Sequence, residues 1–181
     1  MGTVRYSLLA DYAKGNIFIE TGCQEGWTFY PAKQFEFTKM YGIELMPSFY
    51  DISVARFAGD DSISIIKGES PDVLRELCPT INEQATFWLD AHASGPNIPG
   101  GKYGPCPLIQ EIEAIALSPY KDHVIMIDDI RLFGTQEWDY IDRQTVIDLL
   151  LSINSNYKIV YADGEEDGTF PNDILIASTF I

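Results

Sequence analysis

The chain has 181 residues, 46% of them hydrophobic and 22% charged, and 27 acidic against 12 basic side chains leave a formal net charge of −15. That length and composition describe one globular unit, residues 1–181, with a core of its own, and exclude a disordered or fibrous chain. Contact with phosphodiester backbones or an anionic membrane rests on Lys and Arg neutralising phosphates, so neither nucleic acid nor membrane is an expected partner.

Residues 1–15 (MGTVRYSLLADYAKG) read as a short N-terminal arm without the basic start, long apolar centre and cleavage site of a signal peptide. No apolar run reaches the length of a bilayer span, so a cytoplasmic location is expected. Cys23, Cys78 and Cys106 are odd in number, far apart and without a CxxC pair, and are expected as reduced thiols.

Strand and helix patterns then alternate. A strand at 16–20 (NIFIE) precedes a helix at 28–37; a strand at 40–44 (MYGIE) precedes a helix at 47–57; a strand at 62–66 (SISII) precedes a helix at 71–77. A strand at 85–89 (ATFWL) is separated by a long irregular stretch from a helix at 107–117, and a strand at 123–127 (HVIMI) precedes a helix at 141–153. Strands at 157–161 (YKIVY) and 174–178 (ILIAS) close the chain. Several strands are apolar on both faces, as a parallel sheet covered by helices on each side requires, and some helices carry Pro in the first turn. The expected fold is a Rossmann-like, doubly wound α/β sheet of seven strands. The last connection, 162–173 (ADGEEDGTFPND), has no apolar face on which a crossover helix could pack. The final strand is therefore expected to run antiparallel to its predecessor in an otherwise mostly parallel sheet. The Glu165, Glu166 and Asp167 run in that connection reads as solvated surface.

Ligands of open α/β sheets sit beyond the carboxyl ends of the strands. The first strand leaves through Glu20, Thr21, Gly22, Cys23, Gln24, Glu25 and Gly26 to Trp27 and Thr28. This is GxxxG with two carboxylates, unlike the GxGxxG that wraps a pyrophosphate. Glu20 and Glu25 repel a dinucleotide's phosphates, whereas S-adenosylmethionine carries a sulfonium and an ammonium and no phosphate. A glycine-containing βα turn can also stand without any ligand. Glu44, ending the second strand, can accept bonds from both ribose hydroxyls or serve as a charge at a helix N-terminus. In Gly68-Glu69-Ser70-Pro71, Ser70 can cap the next helix or reach the adenine edge.

The series IETGCQEG, YGIEL, KGESPDVL, FWLDAH and VIMIDDIRLFG resembles the ordered motifs of class I S-adenosylmethionine-dependent methyltransferases, over roughly residues 17–134. The double aspartate resembles the metal-dependent O-methyltransferases, notably the macrocin and mycinamicin sugar O-methyltransferase type. The resemblance implies a cofactor pocket lined by Glu20, Gly22, Glu44 and Ser70, and the same strand ends bring Thr21, Gly26, Thr28, Glu69 and Asp90 beside it.

The fourth strand ends in Asp90-Ala91-His92 and the fifth in Asp128-Asp129. On neighbouring strands these carboxylates converge and repel unless a cation lies among them. Asp90, Asp128 and Asp129 are expected to hold Mg²⁺ or Mn²⁺, which favour oxygen ligands; with two histidines and no Cys cluster, zinc is disfavoured. Two adjacent substrate hydroxyls could share such an ion, easing deprotonation. Asp90 and His92 are the expected catalytic pair, with His92 as base; a metal ligand or a cofactor contact are its other roles. The sugar methyltransferases carry a DxD pattern where this chain has Asp-Ala-His. The competing account has Asp128 or Asp129 capping the turn and Asp90 holding only the cofactor. His123, at the start of its strand, is expected to be structural.

Residues 93–106 read as a lid with Lys102 and Tyr103 facing substrate. The function expected is Mg²⁺-assisted methyl transfer to a hydroxyl of a sugar or glycan. The arm offers little to enclose an acceptor, so the site is left open or completed by a second copy of the chain. The alternatives are a metal-independent methyltransferase of small-molecule or protein nitrogen and a non-catalytic cofactor-binding module.

Overall fold

The computed structural model describes residues 4–93, 100–164 and 169–181. Seven strands, β1 (Ile17–Thr21), β2 (Lys39–Glu44), β3 (Ile63–Lys67), β4 (Ala85–Leu89), β5 (Val124–Ile127), β6 (Lys158–Ala162) and β7 (Ile174–Ser178), form one sheet in the order β3-β2-β1-β4-β5-β7-β6. Pairing from β3 through β5 is parallel, and β7 is antiparallel to both β5 and β6. The expected seven-stranded, mostly parallel Rossmann-like sheet with an antiparallel strand near the C-terminus is therefore the fold of the chain.

Among the described residues six α-helices flank the sheet: α1 (Tyr6–Tyr12), α2 (Phe29–Ala32), α3 (Pro47–Arg56), α4 (Ser70–Leu77), α5 (Leu108–Ile115) and α6 (Arg143–Ile153). Strands β1, β4, β5 and β7 are buried along their whole length. The two-residue period sends their side chains alternately into two cores. Ile17, Ile19, Phe87, Leu89, Ile125, Ile127 and Leu175 meet Leu74, Ile112 and Leu150 of α4, α5 and α6 on one face. Phe18, Trp88, Met126 and Ile176 meet Leu8, Leu9 and Phe29 on the other. Burying a large apolar side chain contributes about 1.5–3 kcal/mol, so these shared strands tie the helical layers together.

Two elements differ from the sequence reading. Helix α1 lies within the expected arm, where Leu8 and Leu9 are buried. Helix α2 is a single turn rather than spanning 28–37. Its continuation is given up because Phe35 and Phe37 turn into an aromatic cluster, Phe37 on Phe18 at 5.4 Å and Phe35 on Tyr6 at 5.0 Å between ring centroids; packing outweighs helix propensity. Among the described residues no helix is long and apolar enough to cross a membrane.

Register places the site. Thr21 is level with Ile43 and with Leu89, and Leu89 with Ile127. Gly22, Glu44, Asp90 and Asp128 therefore leave the sheet at one edge. The order reverses between β1 and β4, where the connections diverge and open a crevice.

Candidate active site

The crevice is a cleft lined by Gly22, Glu44, Glu69, Ser70, Asp90 and His92, among others. At Gly22 the backbone has φ +71°, and an added Cβ would lie 2.6 Å from the Asp90 carbonyl oxygen, so only glycine lets β1 and β4 exit this close together. Gly26, also at positive φ, leaves room for the Phe57 ring, which a Cβ would meet at 2.7 Å.

Glu44 is 4% exposed, and its carboxylate oxygens accept the backbone N–H groups of Gln24 at 2.7 Å and Met46 at 2.6 Å. Burial raises its pKa, and the Met46 and Gln24 amides oppose that shift. The amides hold the carboxylate at the wall of the cleft with lone pairs to spare for a ligand's hydroxyls.

Glu20, Thr21, Gly26 and Thr28 support this wall from behind: Glu20, Thr21 and Thr28 are almost wholly buried. Thr28 lies beside the Glu20 carboxylate, whose Oε2 has no hydrogen-bond partner. Burial pushes its pKa well up; the Thr28 hydroxyl opposes this, and the Asp90 and Glu44 charges add to it. Glu69 lines the cleft but its carboxylate is engaged, with Oε1 accepting Lys102 N–H at 2.8 Å.

Beside the cleft, His92 Nε2 stands 2.8 Å from Asp129 Oδ2 and 3.3 Å from Asp90 Oδ1. His92 Nδ1 is 3.1 Å from the Ala93 carbonyl oxygen, an acceptor only, so Nδ1 carries the proton. A neutral ring would then leave the Nε2 lone pair beside two carboxylates. Burial disfavours charge on His92, but Asp129 and Asp90 more than offset it and push the pKa up to about 10. The geometry calls for a cation at Nε2, either a proton or a metal ion.

The donor atoms of Asp90, His92 and Asp129 lie within 4.8 Å of one another, and among the described residues this is the group that could hold a metal ion. Around an ion with ligands at about 2.1 Å, adjacent donors stand roughly 3 Å apart, so the set fits. Its members are not the three carboxylates expected from the sequence, because His92 stands in the group in place of Asp128. Asp128 is 7% exposed and its Oδ1 accepts Asp129 N–H at 2.9 Å. Burial raises its pKa, with the Asp90 and Asp129 charges adding to the effect. Burial would raise that of Asp129 too, yet His92 and Arg131 hold it below the usual carboxylate range. Asp129 adopts φ +56°, which turns its side chain back toward β4.

Three neighbours complete the surroundings of the group. Arg131 pairs with both Asp129 and buried Asp173, some forty residues downstream. Trp138, 1% exposed, packs its ring 5.5 Å from that of His92. Glu111 on α5 is 1% exposed beside Ser70 and Thr21, and its Oε1 has no hydrogen-bond partner. Only the apolar pattern of α5, broken by a glutamate on its buried side, could have indicated the last.

Of the expected lid, residues 94–99 lie outside the described residues, as do the acids at 165–167. Gly100, Gly101, Gly104 and Pro105 line the cleft, but Lys102 and Tyr103 do not. Lys102 Nζ pairs with Asp72 at 2.5 Å, Tyr103 donates to Asp72 at 2.6 Å, and Arg75 donates to the Tyr103 hydroxyl at 2.7 Å. Two charged residues on the exposed side of α4 draw these side chains outward.

The sequence matches no protein-family model and no curated protein. Solved structures do match. A Streptococcus mutans protein assigned as a methyltransferase, in complex with S-adenosylhomocysteine, superposes with TM-score 0.63 at 11% identity, covering 96% of this chain and 94% of that one. The fold is that of the class I methyltransferases. An O-methyltransferase from Bacillus cereus in complex with S-adenosylhomocysteine matches with TM-score 0.58 at 11% identity, over 96% of this chain and 77% of that one. Spermidine synthase from Thermotoga maritima matches with TM-score 0.61 at 11% identity, over 94% of this chain and 55% of that one.

Proposed function

We propose that the chain is an S-adenosylmethionine-dependent O-methyltransferase, assisted by a divalent cation, that methylates a hydroxyl of a sugar or glycan. The observation that carries this reading is the adjacency, at one sheet edge, of the cleft walled by Gly22, Glu44 and Ser70 and the Asp90–His92–Asp129 group. The cofactor's chemistry is a methyl group on a positively charged sulfur, and the acidic walls of the cleft suit that charge. Bound methyltransferase products in two proteins of the same fold support the choice of cofactor.

Asp90, His92 and Asp129 would hold the divalent cation, whose contribution is to lower the pKa of a neighbouring hydroxyl. His92 serves there as a ligand, oriented by its Nδ1–H bond to Ala93. One oxygen of Asp90, which lines the cleft, would hold the cation, and its other oxygen accepts the proton of the acceptor hydroxyl. Alignment of acceptor oxygen, methyl carbon and sulfur is the remaining task of the cleft. A saccharide offers neutral hydroxyl donors to these acids, whereas a phosphate-bearing acceptor meets few cations.

An amine acceptor is the second reading. A protonated amine would supply the cation that Asp90 and Asp129 require, and a spermidine synthase shares the fold. Incubation of glycan, sugar and amine panels with S-adenosylmethionine, with and without chelator, followed by mass spectrometry, separates the two. Addition of 14 Da (~14, one CH₂) to a saccharide, lost with chelator and restored by Mg²⁺ or Mn²⁺, is the expected result. Asp129→Ala should then lower turnover by about 100-fold or more while S-adenosylhomocysteine binding stays within about threefold. Undiminished turnover in chelator would sink the cation's role.

A further inference from the structure

Asp129 uses its two carboxylate oxygens differently. Oδ2 stands 2.8 Å from His92 Nε2, whereas Oδ1 is held by the guanidinium of Arg131. The His92 side chain is 8% exposed and its Nε2 makes no hydrogen bond, so the Oδ2 side of Asp129 calls for a cation. The Oδ1 side already has one.

The arginine is itself anchored. The same Nη1 pairs with Oδ2 of Asp173, a residue 2% exposed, and the Arg131 backbone N–H donates to Asp173 Oδ1 at 2.8 Å. The Ile130 N–H donates to the Asp173 carbonyl oxygen at 2.9 Å, and the guanidinium lies 4.3 Å from the centre of the Phe170 ring. A surface pair is free to swing away. Here a buried carboxylate, a ring and the backbone fix Arg131 from the segment before β7, and a buried acid strongly disfavours losing its charge partner.

A carboxylate with both oxygens free can close on an ion with both; one whose second oxygen carries an arginine offers a single oxygen. Ca²⁺ takes about six to eight oxygen ligands and accommodates carboxylates that bind through both oxygens, whereas Mg²⁺ demands a tight octahedron and keeps water in several positions. The smaller ions also polarise a bound hydroxyl more strongly, which suits the proposed reaction.

We infer that Arg131, anchored by Asp173, is a specificity-determining positioning residue: by occupying Asp129 Oδ1 it keeps Asp129 a one-oxygen ligand and makes the Asp90–His92–Asp129 group select Mg²⁺ or Mn²⁺ over Ca²⁺. The inference rests on the proposed cation site and extends it to the choice of ion.

The test is titration of the full chain with MnCl₂, with free Mn²⁺ read by its electron paramagnetic resonance signal, followed by displacement with CaCl₂. Wild type should hold Mn²⁺ more tightly than Ca²⁺. Arg131→Met should reduce the ratio of Mn²⁺ to Ca²⁺ affinity by about tenfold or more, through tighter binding of Ca²⁺. Loss of a positive charge acts alike on two divalent ions, so a purely electrostatic role would strengthen both equally and leave the ratio unchanged. The double variant Arg131→Met, Asp173→Asn removes the buried acid together with its partner and should show the same reduced ratio; it carries the test if Arg131→Met alone does not fold. A ratio that is unchanged or rises in the variants, or a wild type that binds Ca²⁺ as tightly as Mn²⁺, overturns the inference while leaving the cation site standing. A wild type that binds no Mn²⁺ overturns the site and the inference with it.

Discussion

The chain's two histidines stand at opposite edges of the sheet and are pulled in opposite directions by what surrounds them. His92, between two carboxylates, is drawn toward a proton or a metal ion at Nε2. His123 is wholly buried, its Nδ1 accepting Ala85 N–H at 3.2 Å and its Nε2–H donating to Ser118 Oγ at 3.0 Å. Ser118 passes its own hydrogen to the Ile81 carbonyl at 2.6 Å. A second proton on His123 would have to displace the Ala85 amide, and burial, opposed by the Tyr120 backbone carbonyl and helped by Lys121, lowers its pKa to about 4. In the unfolded chain the same ring titrates near 6.5. As pH falls between those values the unfolded state takes up a proton that the native state refuses, so this contribution to stability declines. The buried acids Glu20 and Glu111, with raised pKa, act in the opposite sense. Urea denaturation at pH 7 and pH 5 should therefore show wild type losing roughly 2 kcal/mol relative to His123→Asn across the interval; parallel curves would refute the assignment. The position of His123 at a strand's start was readable from the sequence. The sign of its pKa shift was not, because Ser118, Ala85 and Ile81 reach it from separate segments.

At the scale of elements, α4 does two jobs. Its first residue faces the cleft, and its outer side carries Asp72 and Arg75, which hold residues 100–105 over the same cleft through Lys102 and Tyr103. The strap closes against the helix through partly exposed bonds, each worth about 0.5–1.5 kcal/mol. Tyr103→Phe removes the hydroxyl that joins Asp72 to Arg75 and should speed dissociation of S-adenosylhomocysteine by roughly five- to tenfold, measured by stopped flow, with the melting temperature nearly unchanged. An unaltered off-rate would show that the strap does not gate the cleft. The Gly- and Pro-rich composition of residues 93–106 marked the segment as irregular. The direction of Lys102 and Tyr103 depended on charges a turn of helix away in space and some thirty residues away in sequence.

For the whole molecule, a net charge of −15 places many carboxylates on a small surface. The described ion pairs engage only part of this excess, as with Lys33 and Asp60 or Arg56 and Glu25. Self-repulsion on that scale destabilises the compact state and is screened by salt. Raising NaCl from about 10 mM to about 150 mM should raise the melting temperature by a few degrees in differential scanning fluorimetry. A fall would show that attractive pairs, not repulsion, dominate the surface. The same field leaves the cleft poorly suited to phosphate-bearing acceptors, in keeping with a neutral saccharide.

Taken alone, the sequence determined the seven strands, their mostly parallel arrangement with an antiparallel strand near the end, and the edge at which Gly22, Glu44, Asp90 and Asp128 emerge. These follow from local periodicity and from connections too polar to carry a crossover helix, both of which are written in contiguous residues. Tertiary structure alone decided which donor atoms converge. The left-handed turn at Asp129 brings its carboxylate to His92 while Asp128 turns inward, and α5 delivers Glu111 to Ser70 and Thr21. Contacts of a few ångströms between residues twenty to ninety apart are set by how strands and helices pack, and no local pattern records them.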